Sequence, residues 1–170
     1  MDDIVKQADI EKNKMLDNMQ TVILSTLDKK NVPNSSYAPA VKDDDNNFYI
    51  YISELSKHTN NLLDNPLVSL MIIEDENSAE NIFGRKRFTM DAKAQLVPRD
   101  TNDWKDKINM MESKFGESIA YLKNLTDFHL FKITPHAGLL VHGFARAFRY
   151  QGKGLNEIIY LNEKGHSEKK

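Results

Sequence analysis

The order of strand-like and helix-like segments is the feature that most limits what this chain can fold into. Segments rich in β-branched and aromatic residues recur at short spacing, which is typical of strands. They cover residues 21–27, 36–41, 47–53, 67–74, 83–100, 127–133 and 137–150. One helix is predicted after the third strand, and another precedes the last two. Because strands and helices do not alternate one for one, the order favours an antiparallel barrel with helices outside it.

The remaining segments lie at the two ends of the chain. A helix is predicted within residues 1–20, with an apolar stripe made of Ile4, Val5, Ala8, Met15, Leu16 and Met19. We expect this helix to pack on a single barrel domain formed by residues 21–161. The polar residues 162–170 predict a flexible C-terminal tail.

Charge and residue types argue against several classes of function. The chain has 23 basic and 25 acidic residues and a net charge of −2, so nucleic acid is not an expected partner. It has no cysteine, which excludes disulfides, thiolate catalysis and a thiolate-ligated haem. The first residues are acidic where a signal peptide would be basic, and the longest apolar stretch, Leu67–Ile73, is too short to span a bilayer. We therefore expect a soluble, cytoplasmic protein with no membrane partner.

Alternation within the long segment 83–100 separates a core face from a polar face. The predicted core residues are Phe88, Met90, Ala92, Ala94 and Leu96. The polar face carries Arg85 and Arg87, and such a pair suits a carboxylate or a phosphate. An ordinary solvated face with ion pairs is the alternative.

Three further places in the sequence could carry chemistry. Asp127 and His129 share a strand face with two large apolar residues, although Asp127 could simply belong to a turn. Lys57 and His58 fall in the first turn of a predicted helix, where free N–H groups favour an anion, but a plain capped helix also explains them. His166 stands in the polar tail, where a solvated terminus is the simplest interpretation.

Other common chemistries lack their motifs. The sequence contains no G-x-G-x-x-G, no P-loop and no G-x-S-x-G, and its five histidines form no H-x-x-x-H or H-x-H pair. Nucleotide, nucleophilic-serine and zinc chemistry therefore have weak support.

Two motifs carry a resemblance to a known family. The first is S-x-x-S-K-H-T-x-N-L-x-x-N-P-x-V-S at residues 53–69, and the second is R-K-R-F-T at residues 85–89. With them, the chain resembles the HugZ/HutZ haem-utilisation family from about Thr21 to the tail, and it is most similar to the short HutZ type. That family is a branch of the split-barrel superfamily that includes pyridoxamine-phosphate oxidase. The resemblance implies an antiparallel split β-barrel, a homodimer and a haem site at or near the subunit interface.

The resemblance also implies roles for individual residues. His166 matches the family's proximal haem ligand, and Asp127 matches the residue that hydrogen-bonds this ligand, which the resemblance allows to come from the other subunit. Arg87 matches an arginine on the open side of the haem. Thr26 matches a threonine at the dimer contact. The resemblance assigns no role to His58 or His142.

One departure from the superfamily concerns flavin. Its flavin-binding members carry an arginine at the start of the first strand, which grips the flavin phosphate, and Met19 stands there in this chain. Lys57 and His58 occupy the place of the second phosphate clamp. FMN is therefore disfavoured as a cofactor, and haem is expected.

Three functions remain open at this level. The first is a haem-degrading oxygenase that opens the porphyrin ring and releases iron, with electrons from an external donor and haem from an importer or donor protein. The second is a haem carrier or storage protein, which would use the same residues. The third is an FMN-dependent oxidoreductase of the split-barrel type.

Overall fold

The computed structural model describes residues 2–143 and 146–161. Within these residues it contains four α-helices: α1 (Asp2–Asn18), α2 (Lys57–Asp64), α3 (Asn102–Phe115) and α4 (Glu117–Leu122). It also contains eight strands: β1 (Thr21–Leu27), β2 (Pro33–Lys42), β3 (Phe48–Ser53), β4 (Leu67–Ile73), β5 (Arg87–Val97), β6 (Phe128–Val141), β7 (Ala147–Gln151) and β8 (Glu157–Tyr160). None of the helices in this described part is long and apolar enough to cross a membrane.

The first six strands close into an antiparallel barrel. Their order is β3-β2-β1-β4-β5-β6, and β3 also pairs with β6, which closes the ring. Strands β7 and β8 add to β6 outside the ring. The predicted antiparallel split barrel is confirmed, and β8 is a strand that the sequence pattern did not predict.

The barrel core extends to the N-terminal helix. Ala8, Leu16 and Met19 are buried in the same apolar cluster as barrel residues such as Phe88 and Ile50. The C-terminal part of the predicted stripe therefore faces the barrel, as amphipathic helices do, whereas Ile4 at its start is 47% exposed.

A second apolar cluster lies under α3. Trp104, Ile108 and Met111 are buried there together with Tyr51 of β3. The side chain of Thr101 caps this helix by accepting a hydrogen bond from the Trp104 N–H at 3.2 Å. The predicted buried side of α3 is confirmed.

Three details of the predicted strands are wrong. Leu96 is 43% exposed, because the neighbouring Val97 is the residue that packs into the second cluster. The segments 127–133 and 137–150, predicted as two strands, are divided differently in the structure. Residues 128–141 form the single strand β6, and the chain turns before β7, with Gly143 at a φ of 103°. Arg85 lies in the turn before β5 and does not share a strand face with Arg87.

Candidate functional site

A cavity of about 780 Å³ opens beside the end of β3. This volume is within the range of small-molecule sites in proteins. Its walls are mostly apolar and include Tyr37, Ile52, Met111, Phe115, Ile119 and Phe128. Its polar residues include Ser53, Lys57 and His58, which lie at the end of β3 and the start of α2. The cavity thus combines an apolar surface with one polar edge.

Asp127 does not line the cavity itself, but it immediately precedes Phe128 and bonds Ser53, which both line it. Ser53, the last residue of β3, pairs with Phe128. Its hydroxyl donates a hydrogen bond of 2.6 Å to Asp127 Oδ2, and the Glu54 N–H donates to the Asp127 carbonyl at 2.9 Å. Asp127 is half-buried. Its backbone and one carboxylate oxygen are therefore both fixed by the end of β3.

His129, the next polar residue along β6, is held by Glu54, which directly follows Ser53 in the chain. His129 Nε2 lies 2.5 Å from Glu54 Oε1. The sequence places Asp127 and His129 on one strand face, and the structure shows that each has its own partner in the Ser53-Glu54 pair.

Lys57 and His58 open α2, as the sequence predicted. Lys57 Nζ lies 3.5 Å from Asp28 Oδ2 and is half-exposed. His58 is 8% exposed, and burial lowers the pKa of its imidazole below the ordinary value. Met19, which stands where flavin-binding relatives carry an arginine, is 5% exposed and packs in the barrel core. Met19 therefore offers no charge or donor to a phosphate.

Arg87 begins β5 at a different end of the barrel. Its guanidinium donates to the Arg85 carbonyl at 3.1 Å. Within residues 2–143 and 146–161, no carboxylate is paired with Arg87. Arg85, in contrast, bonds the Glu76 carboxylate and the Glu74 carbonyl. Arg87 is thus the arginine of this pair that remains available to an anionic or polar ligand.

The pairing of β5 with β6 shows that one chain does not bring Arg87 and Asp127 together. Arg87 pairs with Val141 at one end of this ladder, and Val97 pairs with Leu130 at the other. Ten residue steps of strand separate the two ends, or roughly 30 Å at about 3.3 Å per residue. Asp127 lies beyond the Leu130 end. Within one chain, Arg87 and Asp127 therefore lie at opposite ends of the β5–β6 ladder.

Thr26 is buried inside the chain. Its side chain is 1% exposed, and its hydroxyl accepts a hydrogen bond of 2.9 Å from the Asn61 amide of α2. The hydroxyl therefore couples β1 to α2, and its predicted place at a dimer contact stays a prediction.

The tail predicted for residues 162–170, and with it His166, lies outside the described residues. Within the described ranges, no group of three His, Asp or Glu side chains is arranged to hold a metal ion. His142 lies in the turn after β6, where its Nδ1 is buried and lacks a hydrogen-bond partner in this part of the chain. Burial lowers the pKa of His142.

Ser53 is the site residue that sequence reasoning missed. It belongs to the first motif, but its link to Asp127 joins residues 74 positions apart. Only the pairing of β3 with β6, which closes the barrel, brings the two together. A reliable β3–β6 register is the signal that could have identified it.

Comparison with known proteins identifies the family to which the chain belongs. The family model described as pyridoxamine 5'-phosphate oxidase matches residues 9–142. The heme oxygenase HutZ of Vibrio cholerae is 43% identical over 147 residues, which are 86% of this chain and 82% of that protein.

Two solved structures extend the comparison. The crystal structure of Vibrio cholerae HutZ, described as a heme storage protein, is 41% identical with a TM-score of 0.71, and the match covers 74% of this chain and 88% of that one. Campylobacter jejuni ChuZ is 29% identical with a TM-score of 0.78, over 86% of this chain and 60% of that one. The chain therefore belongs to the HugZ/HutZ haem-utilisation branch of the pyridoxamine 5'-phosphate oxidase-like split-barrel superfamily.

Proposed function

We propose that this protein is a haem-degrading oxygenase that opens the porphyrin ring and releases iron. The observation that carries the proposal is the 43% identity to the heme oxygenase HutZ across most of both chains. The fixed carboxylate of Asp127 beside an apolar cavity supports it from the structure.

The residues at the cavity fit a haem. A porphyrin is a flat, mainly apolar ring with carboxylates on one side. The aromatic and aliphatic walls suit the ring, while Lys57 and the serine hydroxyls at the polar edge suit the carboxylates. When bound, haem would supply the redox-active iron at which oxygen chemistry on the ring takes place.

In the proposed site, His166 binds the iron and Asp127 acts through it. Asp127 accepts a hydrogen bond from the second imidazole nitrogen of His166, which fixes the tautomer and raises the donor strength of the ligand. Ser53 is the donor to Asp127 among the described residues, and it bonds only Oδ2. The other carboxylate oxygen is then the acceptor for the histidine.

Arg87 completes the site from a second copy of the chain. Its cationic side chain on the open side of the haem would stabilise negative charge that develops there during the reaction. This arrangement is supported by the β5–β6 register, which puts Arg87 and Asp127 of one chain at opposite ends of a ladder roughly 30 Å long along the strand. The functional unit is then a homodimer, with twice the 19.6 kDa mass of the chain in light scattering.

The proposed reaction needs partners that supply electrons and haem. We propose an external reductase or other electron donor, together with a haem importer or haem donor protein. A cytoplasmic location is consistent with such partners and is part of the proposal.

A haem storage protein is the second candidate, favoured by the description of the solved HutZ structure as a heme storage protein. An absorption titration with hemin, followed by reductant under air and catalase, separates the candidates. The oxygenase predicts a Soret band that decays while ring-opened tetrapyrrole and chelatable iron form. A stable Soret band under the same conditions would contradict the oxygenase and support storage. A bound flavin spectrum in the purified protein would contradict both.

The same titration tests the ligand. We expect His166→Ala to shift or remove the Soret band, because this histidine is the proposed axial ligand. His136→Ala is the matched control that should retain it, because His136 is exposed and does not line the cavity. An unchanged spectrum in His166→Ala would contradict the proposed ligation.

A further inference from the structure

We propose that Ser53 is a positioning residue that orients the Asp127 carboxylate toward the haem-ligating histidine. The inference rests on the proposed function and adds to it a residue to which none of the family roles above is assigned. Ser53 is not expected to contact the iron or the ligand histidine itself. It acts through Asp127.

The hydrogen bond between Ser53 and Asp127 has one possible direction when the carboxylate is ionised. An ionised carboxylate only accepts, so the serine hydroxyl must donate its single proton to Oδ2. The distance of 2.6 Å lies in the range of charge-assisted O–H···O bonds, which are stronger than neutral ones. The Leu55 N–H donates to the same hydroxyl oxygen at 3.1 Å, which polarises the hydroxyl further.

The backbone around Ser53 keeps this hydroxyl in place. The Ser53 carbonyl accepts hydrogen bonds from the Thr59 hydroxyl at 2.5 Å and from the Ser56 N–H at 3.0 Å. These bonds tie the end of β3 to the start of α2. The Glu54 N–H holds the Asp127 carbonyl at 2.9 Å. Ser53 is thus a fixed donor aimed at a residue whose own backbone is also fixed.

This arrangement decides which oxygen of Asp127 faces its target. Ser53 takes one acceptor site of Oδ2, and among the described residues no donor to Oδ1 is found, so Oδ1 is the oxygen better placed to accept from an imidazole. Asp127 is only half-buried, so without the hydroxyl its carboxylate could rotate and bind water. The imidazole would then lose a well-aligned acceptor and become a poorer donor to iron.

The test is resonance Raman spectroscopy of the ferrous haem complex, which reports the stretching frequency of the bond between iron and its histidine. Ser53→Ala should lower this frequency in the same direction as Asp127→Asn, by a smaller amount. Ser53→Thr keeps a hydroxyl and should restore a frequency close to wild type. Thr134→Val is the matched control, because it removes a hydroxyl of β6 that bonds the Asn47 side chain at 2.9 Å and not Ser53 or Asp127. It should lower the melting temperature and leave the frequency unchanged.

Several outcomes would overturn the inference. They are an unchanged or raised frequency in Ser53→Ala, no restoration by Ser53→Thr, or an equal shift in Thr134→Val. Failure of the proposed function has a different signature, in which Asp127→Asn itself leaves the frequency unchanged or His166→Ala retains the wild-type spectrum. If Asp127→Asn shifts the frequency and Ser53→Ala does not, only the inference about Ser53 fails.

Discussion

Replacing Thr26 with valine tests whether this residue acts inside the fold. Valine keeps the β-branched shape of threonine and suits a strand, so the main loss is the hydroxyl. That hydroxyl accepts the 2.9 Å hydrogen bond from the Asn61 amide, and Thr26 and Asn61 are 1% and 4% exposed. The variant therefore leaves a buried N–H without its partner.

The expected cost follows from this burial. An unsatisfied buried donor costs about 1–3 kcal/mol, and the small apolar gain of the extra methyl offsets only part of it. For a chain of 170 residues, about 2 kcal/mol of unfolding free energy corresponds to a melting temperature lower by roughly 4–8 °C. The double variant Thr26→Val with Asn61→Leu removes both polar partners of this hydrogen bond. Its loss of unfolding free energy should therefore be smaller than the sum of the losses in the two single variants.

The assay is urea unfolding with a parallel thermal melt, and light scattering follows the oligomeric state. A Thr26→Val protein as stable as wild type, or strictly additive losses in the double variant, would refute the hydrogen-bond reasoning. A wild-type melt combined with a loss of the dimer would instead place the role of Thr26 at the subunit contact.

Three further predictions concern the site, the core and pH. Asp127→Asn should retain a Soret band with hemin but lose haem more slowly under reductant with catalase present, because the histidine becomes a poorer donor; wild-type kinetics would end this role for Asp127. Gly138→Ala should destabilise the fold by about 1–3 kcal/mol in urea unfolding, since a Cβ at this position would lie 2.7 Å from the buried Phe88 ring. Combining it with Phe88→Leu should recover part of this loss, and an undiminished loss in the double variant would contradict the clash. Burial lowers the pKa of His58 in the folded protein, while in the unfolded chain it stays at about 6.5. Above the unfolded-state pKa the buried imidazole is neutral at no cost to stability, and stability is lost as pH falls from there through the lowered folded pKa. Urea unfolding at pH 7.5 and 5.5 should therefore show a smaller acid-induced loss in His58→Gln than in wild type, and equal losses would contradict this account.

The succession of strands and helices along the chain and the buried side of α3 could be predicted because they follow from local pattern. Trp104, Ile108 and Met111 recur at helical spacing, and α2 ends at Asp64, with Asn65 as its C-cap before a proline. The same kind of pattern misled at Leu96. The alternation of buried and exposed residues in β5 breaks there because Val97, and not Leu96, packs into the cluster under α3. The sequence of β5 alone does not show that α3 packs against this end of the strand.

The site was less predictable than the fold because its contacts span long distances in sequence. Asp127 could be selected only through resemblance to a family, and its partner Ser53 depends on the closure of the barrel between β3 and β6. The separation of Arg87 from Asp127 follows from the register of β5 on β6, which a residue pattern alone does not give.

The central claim is that two copies of the chain complete one haem-degrading site, and mixed dimers test it most directly. Arg87→Ala and Asp127→Asn are each expected to slow haem loss, and subunits of the two variants would be mixed in equal amounts after unfolding and refolding together. Half of the dimers are then mixed, and each mixed dimer has one site with both residues intact, so about a quarter of all sites should be restored. We predict that haem loss under reductant recovers to about a quarter of the wild-type rate above the level of the separate variants. No recovery in mixed dimers whose formation is confirmed would contradict a site shared between two copies.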